Sequence, residues 1–317
     1  MIFGTPVTWF IAEILASVLF ICCVAHASKQ EHGTIRVLEL FGFIFYAAIF
    51  ENIGVASHSY DYDLHRIMLV GKVPLEVLFI EGVIFYVSLQ LAEYVNIPNW
   101  GKALVVGFLA SFQDMSLDPS AIFDKHLFNG IMSGQWNWTF RYHGSFFGIP
   151  FFNFTGWMYL MVFYIIAIQI GMWLYKKYDK EIIGYLYPFV ASFVAVILLI
   201  SPLIQFLLYA RPFFPQFTRG AELVMLCINC LIGIFILLRY MKIGRPFELK
   251  RDWIFLFVPI VLHAYDLIIA FNLRIQNAII PVTIISALHI TLLMFIYTKG
   301  KKIDRTVAKH KDAIKYS

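Results

Sequence analysis

The feature that most limits this chain is a succession of apolar runs, each close to the length that crosses a bilayer. A helix rises about 1.5 Å per residue, so roughly 20 apolar residues cover a hydrocarbon layer of about 30 Å. Nine such runs can be marked off: Pro6–Ala27, Ile35–Val55, Val73–Tyr94, Gly101–Phe112, Phe151–Tyr175, Ile183–Leu208, Ala221–Arg239, Trp253–Phe271 and Asn277–Tyr297. The fourth is short and is expected to continue through Asp114 as a partly buried helix. Pro188 and Pro202 are expected to kink or bound the sixth, because proline brings no amide hydrogen to the helical ladder. Of the 317 residues, 60% are hydrophobic and only 14% charged, where a soluble domain carries about a quarter charged residues. Mean hydropathy is +0.75. The expected architecture is an all-α, polytopic integral membrane bundle of about eight or nine transmembrane helices. A single transmembrane domain is expected over residues 1–298, followed by a basic tail over 299–317.

The net charge of +5 would suggest nucleic acid in a soluble chain. Here the basic surplus sits at Arg239–Arg251 and Lys299–Lys315, flanking apolar runs. Such residues set orientation and meet anionic headgroups. With nine spans, eighteen of the 25 Lys and Arg residues fall on the side of the C-terminal tail and seven on the other. The positive-inside rule then predicts an N-terminus outside and a cytoplasmic C-terminus. Membrane lipids are expected partners, nucleic acid is not, and the sequence names no protein partner. Cys22, Cys23, Cys227 and Cys230 all lie in apolar runs and read as small hydrophobes. Ile2–Ala27 lacks a basic start and is long enough to span, so no cleavable signal is expected.

That orientation brings most of the intramembrane acids to one level. Glu13, Glu51, Glu76, Glu81, Asp114, Glu222 and Asp266 fall in the outer half of their spans, and only Glu39 and Glu93 on the inner side. An ionised carboxylate in hydrocarbon costs about 2.5–3.5 kcal/mol on insertion scales. So many at one depth point to a polar chamber rather than to scattered structural acids. The connections Ser57–Lys72 and Asp114–Ile149 open on the same face and are rich in Tyr, Trp, His and Asp.

The stretch from Gln113 to Trp157 is the most informative. Asp114 and Asp118 are spaced i and i+4, which puts both carboxylates on one helix face, about 6 Å apart at Cβ. Two such groups repel when both are ionised, and a carboxylic acid kept neutral can donate a proton. Pro119 is expected to discourage helix at Asp118. Trp136, Trp138 and their neighbours through His143 form a dense aromatic segment, either an interfacial belt or a wall whose π faces stabilise a cation. In Gly148-Ile-Pro150-Phe-Phe-Asn153-Phe-Thr-Gly156-Trp157 the proline sets a helix entry and Asn153 can position a hydroxyl or water. In Tyr60-Asp-Tyr62-Asp63 an extended chain sends the acids one way and the rings the other. Glu76 and Glu81 are five apart, with Glu81 about 7.5 Å deeper, so one regular helix is not expected to aim both at one point.

The pieces Glu51…Gly54…Tyr60, Gly71-Lys-Val-Pro-Leu75, Asp114…Asp118-Pro119, Trp136-Asn-Trp138 and Gly148-Ile-Pro150…Asn153-Phe-Thr-Gly156-Trp157 stand in a familiar order and spacing. Over roughly Phe50 to Tyr164 the chain resembles the CruF-type membrane carotenoid hydratases, which include the bisanhydrobacterioruberin hydratases of archaea. It departs from them at Glu76…Glu81, where apolar residues and a tryptophan are usual, and at Val55–Ser59, where a glycine-rich stretch is usual.

The resemblance implies a lyase that adds water to the terminal carbon–carbon double bond of an acyclic carotenoid, without cofactor or metal, giving a tertiary alcohol. Acid catalysis through a carbocation suits the residues: a buried acid, aromatic faces, a positioned water and an apolar groove for an isoprenoid chain. In this reading Asp114 or Asp118 gives the proton, with Glu51, Glu76 and Glu81 as further candidates. Tyr60, Tyr62, Trp136, Trp138 and Trp157 line the end-group pocket with Asn153, and Arg141 is the counter-ion to one carboxylate. Two alternatives remain: a lycopene-type cyclase that begins with the same protonation, and a non-catalytic isoprenoid-binding or transport protein. A prenyltransferase lacks its second aspartate-rich motif. A di-iron hydroxylase lacks clustered histidines, and His263 and His289 read as hydrogen-bonded core residues.

Overall fold

The computed structural model describes residues 1–138, 146–210 and 219–315, with side chains described through residue 303. Among the described residues the chain forms ten helices: α1 (Val7–Ala27), α2 (Gly33–Ala56), α3 (Leu75–Tyr94), α4 (Asn99–Phe123), α5 (Phe151–Tyr178), α6 (Glu181–Ile200), α7 (Pro202–Tyr209), α8 (Arg219–Tyr240), α9 (Leu249–Asn272) and α10 (Gln276–Lys315). Eight of them, all but α4 and α7, are long and apolar enough to cross a membrane. The protein is an all-α polytopic membrane bundle.

The fourth helix continues through Asp114, as its short apolar run led one to expect, and goes further: α4 has 25 residues and runs through Asp118 and Pro119 to Phe123. Its second half carries Gln113, Asp114, Ser116, Asp118 and Ser120, all buried. A window of hydropathy penalises these residues as though they met lipid. They face protein instead, because α4 packs against α3, α5, α8, α9 and α10. Polar groups inside a bundle are tolerated where neighbouring helices satisfy them. The same packing holds Asp118 helical against the local preference that Pro119 sets.

The sixth run resolves into two helices. Pro188 is accommodated inside α6, whereas Pro202 opens α7 after Ser201 leaves the helix in an extended conformation. A proline at the first helical position loses only an amide hydrogen that had no partner. Four other helices begin directly after prolines, at Pro6, Pro74, Pro98 and Pro150.

The core lies between α2, α3, α4 and α5. Phe43 stacks on Phe85 at 4.5 Å between ring centroids and Tyr46 on Tyr164 at 5.7 Å. At the end of the bundle away from the long loops, Arg36 pairs with Glu93 (2.7 Å) and Glu39 (3.2 Å), while the Tyr187 hydroxyl donates to Glu39 (2.6 Å). The two inner-side acids are thus held in one polar knot.

At the other end the long connections fold into three antiparallel ribbons. β1 (Tyr60–Tyr62) pairs with β6 (Trp136–Trp138), β2 (Leu69–Val70) with β3 (Val73–Pro74), and β4 (His126–Phe128) with β5 (Ile131–Ser133). The first ribbon joins loops 74 residues apart in sequence at the register Tyr60↔Trp138 and Tyr62↔Trp136. Period-2 alternation turns Tyr60 and Tyr62 inward and leaves Asp61 exposed. It closes one end of the bundle over a cavity.

Candidate active site

The cavity has a volume of about 370 Å³. Its wall is assembled from the late part of α2, α4 and α9, the early part of α1, α3 and α5, the short α7, and the ribbon β1–β6. This alternation of helix ends is what an up-and-down bundle produces at one face. Glu51, Glu76, Glu81, Asp118 and Asp266 all reach the wall. So do Tyr60, Tyr62, Trp136, Trp138, Asn153 and Trp157. Two expected site residues stand apart. Asp114 lies one layer behind the wall, and Arg141 falls outside the described residues.

The acids are arranged in pairs. Asn153 Nδ2 donates to Asp118 Oδ2 (2.6 Å) and to Asp114 Oδ2 (3.0 Å), so one amide from α5 bridges both carboxyls of α4. The Trp136 indole also donates to Asp118. Among the described residues, one buried oxygen of Asp114 has no hydrogen-bond partner.

The second pair spans α2 and α3. Glu51 Oε2 accepts the hydroxyls of Tyr60 (2.7 Å) and Tyr62 (2.6 Å), and the Glu51 and Glu81 side chains share a hydrogen bond. An ionised carboxylate only accepts, so a bond between two carboxyls needs a proton on one of them. Burial, and next the Glu51 carboxyl beside them, push the Tyr60 and Tyr62 hydroxyls well above the ordinary phenol range. They remain donors at any physiological pH. Gly54 makes the approach possible, since a Cβ there would collide with the Tyr60 hydroxyl.

Glu76 sits differently. Arg66 Nη1 bonds Glu76 Oε1 at 2.7 Å, with both side chains almost wholly buried (0% and 5% exposed). The guanidinium stacks over Trp9 at 4.4 Å and donates to the Gln135 carbonyl (3.1 Å). Glu13 accepts the Ile67 amide beside it. Glu76 and Glu81 reach one cavity despite their five-residue spacing, because the cavity extends along α3 and meets them at different places. Glu222 binds the Phe151 and Phe152 amides and so satisfies the exposed start of α5.

Arg66, Gln135 and Asp266 were not singled out as site residues from the sequence. Arg66 had a signal, being the one Arg in Ser57–Lys72, with Lys72 the one Lys. Gln135 had none, because its place depends on the pairing of two distant loops. Asp266 stood among the outer-half acids with nothing to tie it to the motifs.

The membrane bundle gathers carboxyls and aromatic faces around a largely apolar cavity, which has the form of a site for an apolar ligand. A family model described as carotenoid biosynthesis protein matches residues 12–211, and the chain belongs to that family. The match extends well beyond the 50–164 stretch that carries the motifs. It includes α2 to α7 but not α8, α9 or α10. No curated protein and no solved structure gives a significant match. The protein therefore has a role in carotenoid biosynthesis.

Proposed function

We propose that the protein is a carotenoid hydratase that adds water across the terminal carbon–carbon double bond of an acyclic carotenoid. The observation that carries the reading is the cavity itself, whose wall sets the paired carboxyls beside the aromatic ladder of β1–β6. Asp118 gives its proton to the terminal alkene carbon that bears hydrogen. The adjoining carbon, with two methyl groups, becomes a tertiary carbocation.

The rings of Tyr60, Tyr62, Trp136 and Trp138 face the developing charge, as their quadrupoles favour. Asp114, sharing Asn153 with Asp118, opposes a second negative charge on α4 and so keeps the donor protonated between turnovers. Glu51, fixed by two tyrosines and Glu81, supplies negative potential toward the cation. Water then forms the C–O bond and loses one proton to a wall carboxylate, and that proton returns to Asp118. Atoms balance as alkene plus water to tertiary alcohol. Arg66 holds Glu76 as an ion pair, which makes Glu76 a wall residue rather than a donor.

The test is expression in a lycopene-producing bacterium with mass analysis of the extracted pigment. A hydratase yields pigment heavier by one water per reacted end, and Asp118→Asn loses that product by about 10²-fold or more while still binding pigment. Pigment of changed spectrum and unchanged mass would establish the cyclase outcome, in which an internal double bond captures the same cation. Pigment bound but unaltered by the wild-type chain would establish a binding or transport protein.

A further inference from the structure

Asp266 lines the same cavity from α9, outside the family-matched part of the chain, and it is wholly buried. Its carboxyl is held from α4 by two serines: Ser116 Oγ donates to Oδ2 (3.0 Å) and Ser120 Oγ to Oδ1 (3.1 Å). Serines and aspartates alternate along α4, so the helix presents Asp114 and Asp118 to Asn153 and presents Ser116 and Ser120 to Asp266. Only one of the two serines leads further. Ser116 Oγ is also 3.0 Å from His263 Nδ1, and His263 Nε2 is 2.9 Å from His289 Nδ1 on α10. Ser286 Oγ stands 3.0 Å from the same His263 nitrogen, and Gln113 Nε2 lies 3.5 Å from it. Both serines also bond backbone carbonyls of their own helix, and among the described residues Ser120 has no side-chain partner beyond Asp266.

A continuous line of hydrogen bonds thus runs from the cavity wall through a hydroxyl to two imidazoles. Every member is at most 3% exposed. Structural polar residues need partners, but they need no ordered path that starts at a reaction cavity and ends on two imidazoles, which can take a proton at one ring nitrogen and give it at the other.

We propose that Asp266 is the base that takes the proton of the attacking water, and that Ser116 connects it to the His263–His289 pair as its proton store. This deepens the hydratase reading and rests on it. At rest Asp266 is a carboxylate that accepts from Ser116 and Ser120, and the two imidazoles are neutral. Its oxygen takes a proton from water as the C–O bond forms, giving the alcohol and a neutral Asp266. Asp266 relays that proton through Ser116 to the neutral His263–His289 pair, and the pair gives it back along the same line and by way of cavity water to the Asp118 carboxylate left by the first step, which restores every group. Asp266 is the catalytic residue here, while Ser116, His263 and His289 are positioning residues that act through it.

The two serines make the test. Each single alanine removes one hydroxyl from the same carboxyl, at nearly the same bond length, so a merely structural role for Asp266 predicts equal effects. We expect Ser116→Ala to lower turnover of lycopene in reconstituted vesicles about tenfold or more, and Ser120→Ala to lower it far less. Pigment binding and thermal stability should stay alike in the two variants. Asp266→Asn is expected to lose about 10²-fold in kcat with KM little changed, and His263→Asn to follow Ser116→Ala. Equal losses from the two serines, or an active Asp266→Asn enzyme, overturn this assignment while leaving hydration standing. A wild-type chain that makes no hydrated pigment overturns the hydratase reading, and the assignment with it.

Discussion

Arg66 illustrates how one side chain ties a loop to a membrane bundle. It crosses from the loop after β1 to Glu76 in the first turn of α3, with Trp9 of α1 beneath it and the Gln135 carbonyl beyond. A buried pair adds little net stability over an apolar replacement, yet removing one partner strands the other charge. Arg66→Met should therefore lower unfolding stability in detergent by about 3–5 kcal/mol. Adding Glu76→Gln to that variant should recover most of the loss. A single variant within about 1 kcal/mol of wild type would mean the pair behaves like an exposed one. Asn153 is a second such residue, since its one amide group meets two carboxyls. Asn153→Ala leaves Asp114 and Asp118 facing each other without a shared donor. We expect at least a tenfold fall in turnover with pigment still bound, read by the same mass analysis.

At the scale of elements, close helix approach depends on missing side chains. A Cβ at Gly42 of α2 would lie 2.8 Å from the Pro188 carbonyl oxygen of α6, beside the Tyr164 hydroxyl. That carbonyl is backbone and has little room to yield. Gly42→Ala is expected to push α2 from α6 and cost about 1–3 kcal/mol, measured as a lower thermal midpoint. Gly54 concerns the ribbon rather than the bundle. Gly54→Ala would displace Tyr60 and break its bond to Glu51 while leaving the helices paired, so activity should fall before stability does. The comparison between the two glycines separates packing of the bundle from assembly of the site.

Across the whole molecule, the cavity and the ribbons lie at one end, and the Arg36 knot and the basic connections at the other. If the positive-inside rule holds here, the C-terminus is cytoplasmic and the cavity lies in the outer half of the membrane. A fluorescent reporter fused after Ser317 should then be bright, and an alkaline phosphatase fusion at the same place inactive. The reverse pair of results would turn the molecule over and place the cavity in the inner half of the membrane.

Much of this was legible in one dimension. The apolar runs define the membrane bundle because hydrocarbon admits few polar groups, a constraint that acts on each span separately. The Asp114–Asp118 spacing, the helix entry at Pro150 and the alternation of Tyr60 and Tyr62 are likewise local, since helix and strand periods are properties of neighbouring residues. The extension of α4 past Asp114, through Asp118 and Pro119 to Phe123, was not legible, because that polar stretch is stable only inside a shell of other helices. Nor were Arg66 opposite Glu76, Glu51 against Glu81, or Asp266 in the cavity wall. Each of those contacts joins segments distant in sequence, and chain order carries no record of distance once the helices pack. Local patterning determined what kind of surface each segment presents, and only the tertiary structure decided which acids share a cavity.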